Sequence, residues 1–318
     1  MQGLTGKSRL YAAAALLVLV IIGAAVFLLA RPRAVWLVDE AYREQWERIL
    51  DTAKPPQRIR IRTAREDGSF PKNWYGFSIT TRGPLERTEL APPVVIYKGL
   101  PSAREYQGAL VLAIDPWMMF RDFKEPAISR SRAVSPEGGE GELLIPGRDM
   151  EARWAWIAQL LQEQPGIFPE DREVWESAME DLFRNSRFQQ GAETYGWIDA
   201  LPLFYRSSPG WVYAPVSRIR RQPPQDTSNL EANRFPEMED WHEFGIQADI
   251  LWAVPFGEEK NTAKLQTTRT WLASLAAQTT IANTLFWIPA HQEGAPYNAV
   301  ARSARLAWLS SSFVWQIR

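Results

Sequence analysis

The last stretch of this chain, from Ala248 to Arg318, constrains its architecture most. It opens ADILWAVPFGEEKN, where the apolar run Ile250, Leu251, Trp252, Ala253 and Val254 has the length of a buried strand and is stopped by Pro255 and Gly257. The segment KLQTTRTWLASLAAQTT follows, with Leu265, Trp271, Leu272, Leu275 and Ala276 spaced to share one face of a helix. A short apolar piece, TLFWIPAHQEGAPYN, is then broken by Pro289 and Pro296, and the Ala-, Leu- and Trp-rich remainder reads as a closing helix. An order of strand, helix, loop and helix belongs to an α/β protein.

The other end of the chain carries a second strong signal. Lys7 and Arg9 precede an unbroken apolar run from Tyr11 to Ala30, about twenty residues, which suffices to cross a bilayer as a helix. Gly23, Ala24 and Ala25 offer small residues for signal cleavage, but Val26 to Leu29 carry the apolar run past them. The expected arrangement is therefore an uncleaved signal anchor over residues 1–33. Arg31 and Arg33 balance Lys7 and Arg9, so flanking charge does not choose its orientation.

Between these ends the chain reads as strands alternating with helices. Ala34 to Val38 is a short buried-strand run, Asp39 sits where a helix N-cap belongs, and Tyr42, Trp46, Ile49 and Leu50 form a helical stripe. After Pro55 and Pro56, Arg58 to Thr63 alternate as a second strand. This is a βαβ unit, with parallel pairing and a right-handed crossover. Ligands of such sheets lie beyond the carboxyl ends of the strands, which makes Asp39 a candidate ligand contact as well as a cap. Residues 69–83 read as a loop whose adjacent aromatics, Trp74 and Tyr75, lie between Gly68, Pro71 and Gly76; Trp74 is a candidate stacking residue. Val94–Tyr97 and Ala109–Ile114 are further strand-length runs, the latter ending in Asp115-Pro116.

From Ser129 to Gly147 the composition turns to Ser, Pro, Gly and Glu, a loop signature. Trp154, Ile157, Leu160 and Leu161 mark one helix; Val174, Trp175, Ala178, Met179, Leu182 and Phe183 mark a second. The stretch YGWIDALPLFYRSSPGWVY, Tyr195 to Tyr213, mixes aromatics with Gly196, Pro202, Pro209 and Gly210 and cannot be one long regular element. Arg218 to Asp240 lacks periodicity and reads as a long surface connection.

Composition removes whole classes of chemistry. With Cys 0, the chain has no disulfide, thiol nucleophile, Cys-ligated zinc, iron–sulfur cluster or lipoprotein cysteine. His242 and His291 are its two histidines, too few for a histidine-rich metal site. A net charge of -1 gives no basic footprint for nucleic acid. There is no glycine-rich phosphate loop, nucleophile elbow, zinc-protease motif or internal repeat, and no cofactor is indicated. The unusual count is Trp 15; indole faces fill cores, and they also stack on sugar rings.

The C-terminal order resembles that of the extracellular solute-binding proteins of ABC importers, the sugar-binding type. Ala253-Val254-Pro255, then Trp271-Leu272-Ala273-Ser274-Leu275-Ala276-Ala277-Gln278, then Ile288-Pro289-Ala290-His291 stand where that family has its strand, helix and loop pattern. The resemblance covers these residues and weakens upstream. It implies a two-lobed, periplasmic-binding-protein-like α/β fold: residues 34–112 and 249–318 in one lobe, 113–248 in the other, and a ligand cleft between. It also implies an extracytoplasmic globular part, a small polar ligand such as a sugar, an ABC permease as partner, and no catalysis. In that family sugars lie against loop aromatics, so Trp197 and Trp211 are candidate stacking residues. Asp199 and Arg206 are candidate hydroxyl partners by their chemistry alone. Two other readings stay open: a scaffold that lost its ligand and binds proteins, and a glycoside-acting enzyme using a carboxylate pair. The region after the anchor is short for the sugar-binding type, which supports the scaffold reading and puts transport in doubt.

Overall fold

The computed structural model describes residues 17–18, 20, 33–63, 73–81, 94–98, 108–122, 143–161, 173, 177, 182–184, 188, 190–206, 211–222, 230–233, 246–257, 261–290 and 313–317. Of the expected membrane segment, Leu17, Val18 and Val20 are described; they are helical and exposed. Among the described residues no helix is long and apolar enough to cross a membrane. The rest of that segment, most of the 129–147 loop, most of the 174–183 stripe and most of the closing helix lie outside the described residues.

The βαβ unit forms as its pattern dictates. Strand β1 (Arg33–Val38) is buried from Val35 onward. Asp39 then caps a single 3-10 turn, its Oδ1 accepting from the Ala41 N–H at 3.1 Å. Helix α1 (Arg43–Ala53) buries Trp46 and Ile49, and Trp46 meets Trp36 of β1 edge-on at 5.3 Å. Lys54, in the left-handed region, ends the helix. Strand β2 (Arg60–Thr63) returns parallel to β1.

The expected loop at 69–83 instead contains strand β3 (Trp74–Thr80), parallel to β1. Gly76 does not punctuate a turn there. A Cβ on it would stand 1.8 Å from the Val35 carbonyl oxygen, so glycine is what lets β3 lie against β1. Tyr75 is buried and Trp74 half-buried as a result.

Two long strands form the spine. Strand β5 runs from Leu110 to Asp122, well past Asp115-Pro116, where the sequence pattern ends it. Strand β9 (Ile246–Phe256) pairs antiparallel with it over Leu110 to Pro116, and with β3 on its other side. Beyond Pro116, β5 leaves β9 and pairs with β7 (Trp211–Pro215) and β8 (Leu230–Asn233). Pro116 has no N–H to donate, so the change of partner falls where the ladder can spare a bond. Strand β6 (Leu143–Leu144) adds to β7, giving the path β2-β1-β3-β9-β5-β7-β6. Strand β4 (Val94–Lys98) pairs with β11 (Phe313–Ile317), which also runs parallel to the start of β9. Phe313–Ile317 is thus a strand, and the closing helix expected before it lies outside the described residues.

Apolar side chains collect in two clusters. One joins β1, β3 and α1 to the α5 and α6 helices (Thr262–Leu272 and Leu275–Leu285) around Trp36, Trp46, Phe77, Leu272 and Ile281. The other joins β7 and the far half of β5 to α2 (Met150–Leu161) and α3 (Trp197–Arg206) around Trp117, Trp156, Phe204 and Tyr213. Three expectations change here. Residues 264–280 make two helices because Ser274 leaves helical geometry to accept from the Ala277 N–H, an N-cap inside the apolar stripe. Residues 197–206 form a helix despite Pro202, which lies on the exposed face while Ala200, Leu201 and Phe204 are buried. The 218–240 connection begins within helix α4 (Val216–Arg220), which buries Val216, Ser217, Ile219 and Arg220, and later includes β8.

Candidate functional site

Where β5 changes partners, two carboxylates stand opposite each other. Asp115 of β5 and Asp249 of β9 are registered partners in the antiparallel ladder, which holds side chains on one face with Cβ atoms about 4.5–5.5 Å apart. Like charges so placed repel, and a strand pair built for stability alone would avoid them. Asp115 is 3% exposed and accepts from the Ser217 N–H at 2.8 Å. Burial raises its carboxyl to about 7, against the opposing effects of the Ser217 bonds and the Arg221 charge. Burial, then the charges of Glu151 and Asp115, push Asp249 well above the usual carboxylate range.

Two more elements bring titratable groups to the same place. Tyr42, in the turn that follows β1, is pushed up to about 12 by burial and then by the charges of Asp249 and Asp115, with Arg221 opposing. Glu151, in the first turn of α2, is raised by burial and by Asp149, with Arg218 opposing. Yet Tyr42 and Asp249 are half-buried and Glu151 is exposed. These groups are therefore surrounded by protein yet keep contact with solvent. Tyr42 comes from the unit packed on the first cluster, while Glu151 and Arg218 come from elements of the second. The site thus lies where the two cores meet.

An aromatic wall adjoins it. Trp117, two residues along β5 from Asp115 and so on the same face, packs 6.1 Å from Trp197 and 5.5 Å from Tyr213. Its indole is 2% exposed and the Nε1 donor has no partner among the described residues. The Arg218 guanidinium lies over the Trp197 ring at 5.3 Å. Arg220, from the same short helix, turns the other way. Its guanidinium donates to the carbonyls of Trp287 at 2.5 Å and Ala282 at 3.3 Å, and to Asn283 Oδ1 at 3.2 Å, tying α4 to the end of α6. Burial lowers Arg220 to about 10, with Asp115 opposing.

The residues nominated from sequence scatter relative to this site. Trp197 lies at it, half-buried, on a helix rather than a loop. Asp199 is exposed and its Oδ2 accepts from the Gly196 N–H at 3.2 Å, a capping role at the start of α3. Arg206 is the last residue of α3. Trp211 is 7% exposed in β7 and faces Arg121 at 5.5 Å. It is four ladder positions from the Pro215–Trp117 pair, roughly 13 Å along the strand. Trp74 opens β3, and Asp39 caps the turn that carries Tyr42. Sequence reasoning missed Asp115, Asp249, Tyr42, Glu151, Arg218 and Arg221. The first two did leave a signal: each is a lone carboxylate beside an apolar strand run, where an unpaired charge is costly.

Chemically the arrangement offers acceptors, a phenol, guanidinium groups and an indole face to something small and polar. Among the described residues no group of three or more His, Cys, Asp and Glu side chains could hold a metal ion.

No family model matches the chain, and no curated protein matches it in sequence. Solved structures do match in shape. A probable secreted solute-binding lipoprotein from Streptomyces coelicolor is similar at 11% identity and a TM-score of 0.57, over 86% of each chain. The bacterial solute receptor AcbH, described as preferring β-D-galactopyranose, is similar at 11% identity and a TM-score of 0.55, over 89% of this chain and 87% of that one. Thiaminase I from Clostridium botulinum, solved with thiamin, is similar at 9% identity and a TM-score of 0.56, over 89% of this chain and 94% of that one. These likenesses show the fold: it is periplasmic-binding-protein-like, an architecture that serves both receptors and an enzyme.

Proposed function

We propose that this chain is an extracytoplasmic solute-binding protein, tethered to the cytoplasmic membrane by its N-terminal apolar segment, that takes a small polar solute, sugar-like in size, for an ABC importer. The observation that supports this reading is the gathering, at the β5–β9 crossover, of Asp115, Asp249, Tyr42 and Glu151 from elements of both cores, with Trp117 and Trp197 beside them. Residues 34–112 with 249–318 form one lobe and residues 113–248 the other. The two carboxylates at Asp115 and Asp249 lie at the boundary. Solute held there contacts both lobes, so it favours the closed form and hands the importer a changed surface. The helical, exposed Leu17, Val18 and Val20 support the tether.

The test is a binding screen on the full chain in detergent micelles, read by intrinsic tryptophan fluorescence on heating, against sugars, polyols, amino acids and small amines. A solute at a hundredfold excess over its dissociation constant adds about 2.7 kcal/mol to the folded state. A shift with one chemical class establishes the solute-binding role. Silence from well-folded protein favours a ligand-free scaffold that binds another protein.

A second reading has its own observation. Asp115 and Asp249 are neighbouring carboxyls in unequal surroundings, one buried and bonded to Ser217, the other open to the cleft, and such pairs divide acid and base roles in enzymes. The thiaminase likeness shows that the fold can house catalysis. Turnover of a bound compound, lost in Asp249→Asn, would establish the enzyme; stable binding without turnover would dismiss it.

A further inference from the structure

We propose that the solute of this cleft is an organic cation, an amine-bearing ring or chain, whose positive group seats among Asp115, Asp249 and Glu151. The inference rests on the solute-binding reading and names its ligand class. Three elements, β5, β9 and α2, each deliver one carboxyl to the same enclosure. No ion pair neutralises them among the described residues, where the pairs within reach are those of Arg43 and Arg48 with Glu40, Glu44 and Glu47 on and beside α1. Asp115 is held by Ser217, but Asp249 has no hydrogen-bond partner within the described residues.

The nearby guanidinium groups act on these carboxyls from a distance and make their direct contacts elsewhere. Arg220 is committed to the carbonyls of Ala282 and Trp287. Arg218 lies over Trp197, and Arg221 over Phe286 at 5.8 Å. Asp149, the remaining nearby acid, caps α2 through the Ala152 N–H at 3.2 Å. Tyr42 adds a phenol that burial keeps protonated. The Trp197 face receives one cation from the protein itself, and the buried Trp117 Nε1–H beside it has no acceptor among the described residues. A ligand with a cationic group and an apolar or ring body suits carboxyls gathered beside an aromatic wall; a neutral polyol brings them no charge partner.

The raised affinities of these carboxyls for protons supply a signature. Asp115, whose carboxyl is raised to about 7 by burial, holds a proton near neutral pH, Asp249 and Glu151 are shifted in the same direction, and a bound cation displaces protons into solvent. The experiment is isothermal titration of the full chain in detergent micelles at pH 6.5, in two buffers of different ionisation enthalpy. Choline, glucosamine and spermidine are the cationic probes, glucose and sorbitol the neutral ones. Binding of a cationic probe with proton release, weakened at least tenfold in Asp249→Asn at unchanged melting temperature, is the expected result. Glu151→Gln, at an exposed position, serves in its place should Asp249→Asn fail to fold. Binding of neutral probes alone, without proton release, overturns the inference and leaves the solute-binding reading standing. Cation binding that both variants leave unchanged overturns the site. No binding by any probe overturns the inference together with the reading it rests on.

Discussion

The Ser217 N–H donates to Asp115 Oδ1 at 2.8 Å across 102 residues of chain. This bond joins the first turn of α4 to the point where β5 passes from one core to the other. The partner is a carboxyl whose folded-state value, about 7, lies well above that of an unfolded aspartate. Between the two values the folded state holds a proton that the unfolded state has released. Asp115 therefore favours the folded state most at low pH, and that contribution is lost as pH rises from about 4 to 7, by a few kcal/mol in all. Asp115→Asn keeps the acceptor and removes the charge. Its unfolding free energy is expected to exceed the parent's at pH 8 and to vary less between pH 4 and 7, as measured by urea denaturation at a series of pH values. A parallel pH profile in the two proteins would contradict this.

Arg220 is buried and satisfies the carbonyls at the end of α6. Charged hydrogen bonds of this kind contribute about 1.5–3 kcal/mol each and are not additive. Arg220→Ala leaves those carbonyls without the guanidinium and is expected to lower stability by about 2–4 kcal/mol, with Arg220→Lys intermediate because an ammonium cannot reproduce the fork. Chemical denaturation midpoints at constant slope measure this.

The two tryptophans that sequence chemistry nominated together should part company. Trp197→Ala removes a half-buried ring beside the cleft and is expected to weaken solute binding at least tenfold, with a small loss of stability. Trp211 is buried in β7, away from the crossover, and Trp211→Ala is expected to cost about 3–5 kcal/mol. A calorimetric melt and a titration of each variant separate the two effects.

Gly76→Ala places a methyl where the Val35 carbonyl already stands, 1.8 Å from its oxygen. The atoms it meets are the Val35 backbone, which cannot swing aside as a side chain can, so β3 must separate from β1, at a cost on the order of 3 kcal/mol or more. Far-UV circular dichroism should show a strongly lowered melting temperature. An unchanged melt would mean that β3 does not lie on β1 in this register.

The parts of the fold legible in the sequence are those where local periodicity and burial agree. Val35 to Val38, the Asp39 cap and the Trp46–Ile49 stripe declare themselves because strand, cap and amphipathic helix each have a short-range signature. The β9 strand and the helical stripe after it do so as well, although the division of that stripe into two helices does not. Local signals misled where a residue's role depends on a distant neighbour. Gly76 looks like a turn residue, yet it is chosen by a carbonyl of β1. Pro116 looks like a stop, yet it falls where the ladder changes partners. Ser274 hides a cap within a continuous apolar stripe.

The candidate site was the least legible part, for a definite reason. By itself the sequence determined an α/β alternation, an apolar N-terminal segment, a chain without cysteine chemistry and an abundance of tryptophan, all properties of short windows or of composition. Tertiary structure alone decided that Asp115 and Asp249, 134 positions apart by their numbers, would face each other. It also decided that Tyr42, Glu151 and Arg218 would gather round them, and that Trp197 but not Trp211 would join. Strand register sets those contacts, and register is a long-range property: it is chosen by which cores the whole of β5 and β9 can bury, and no single window of the chain contains it.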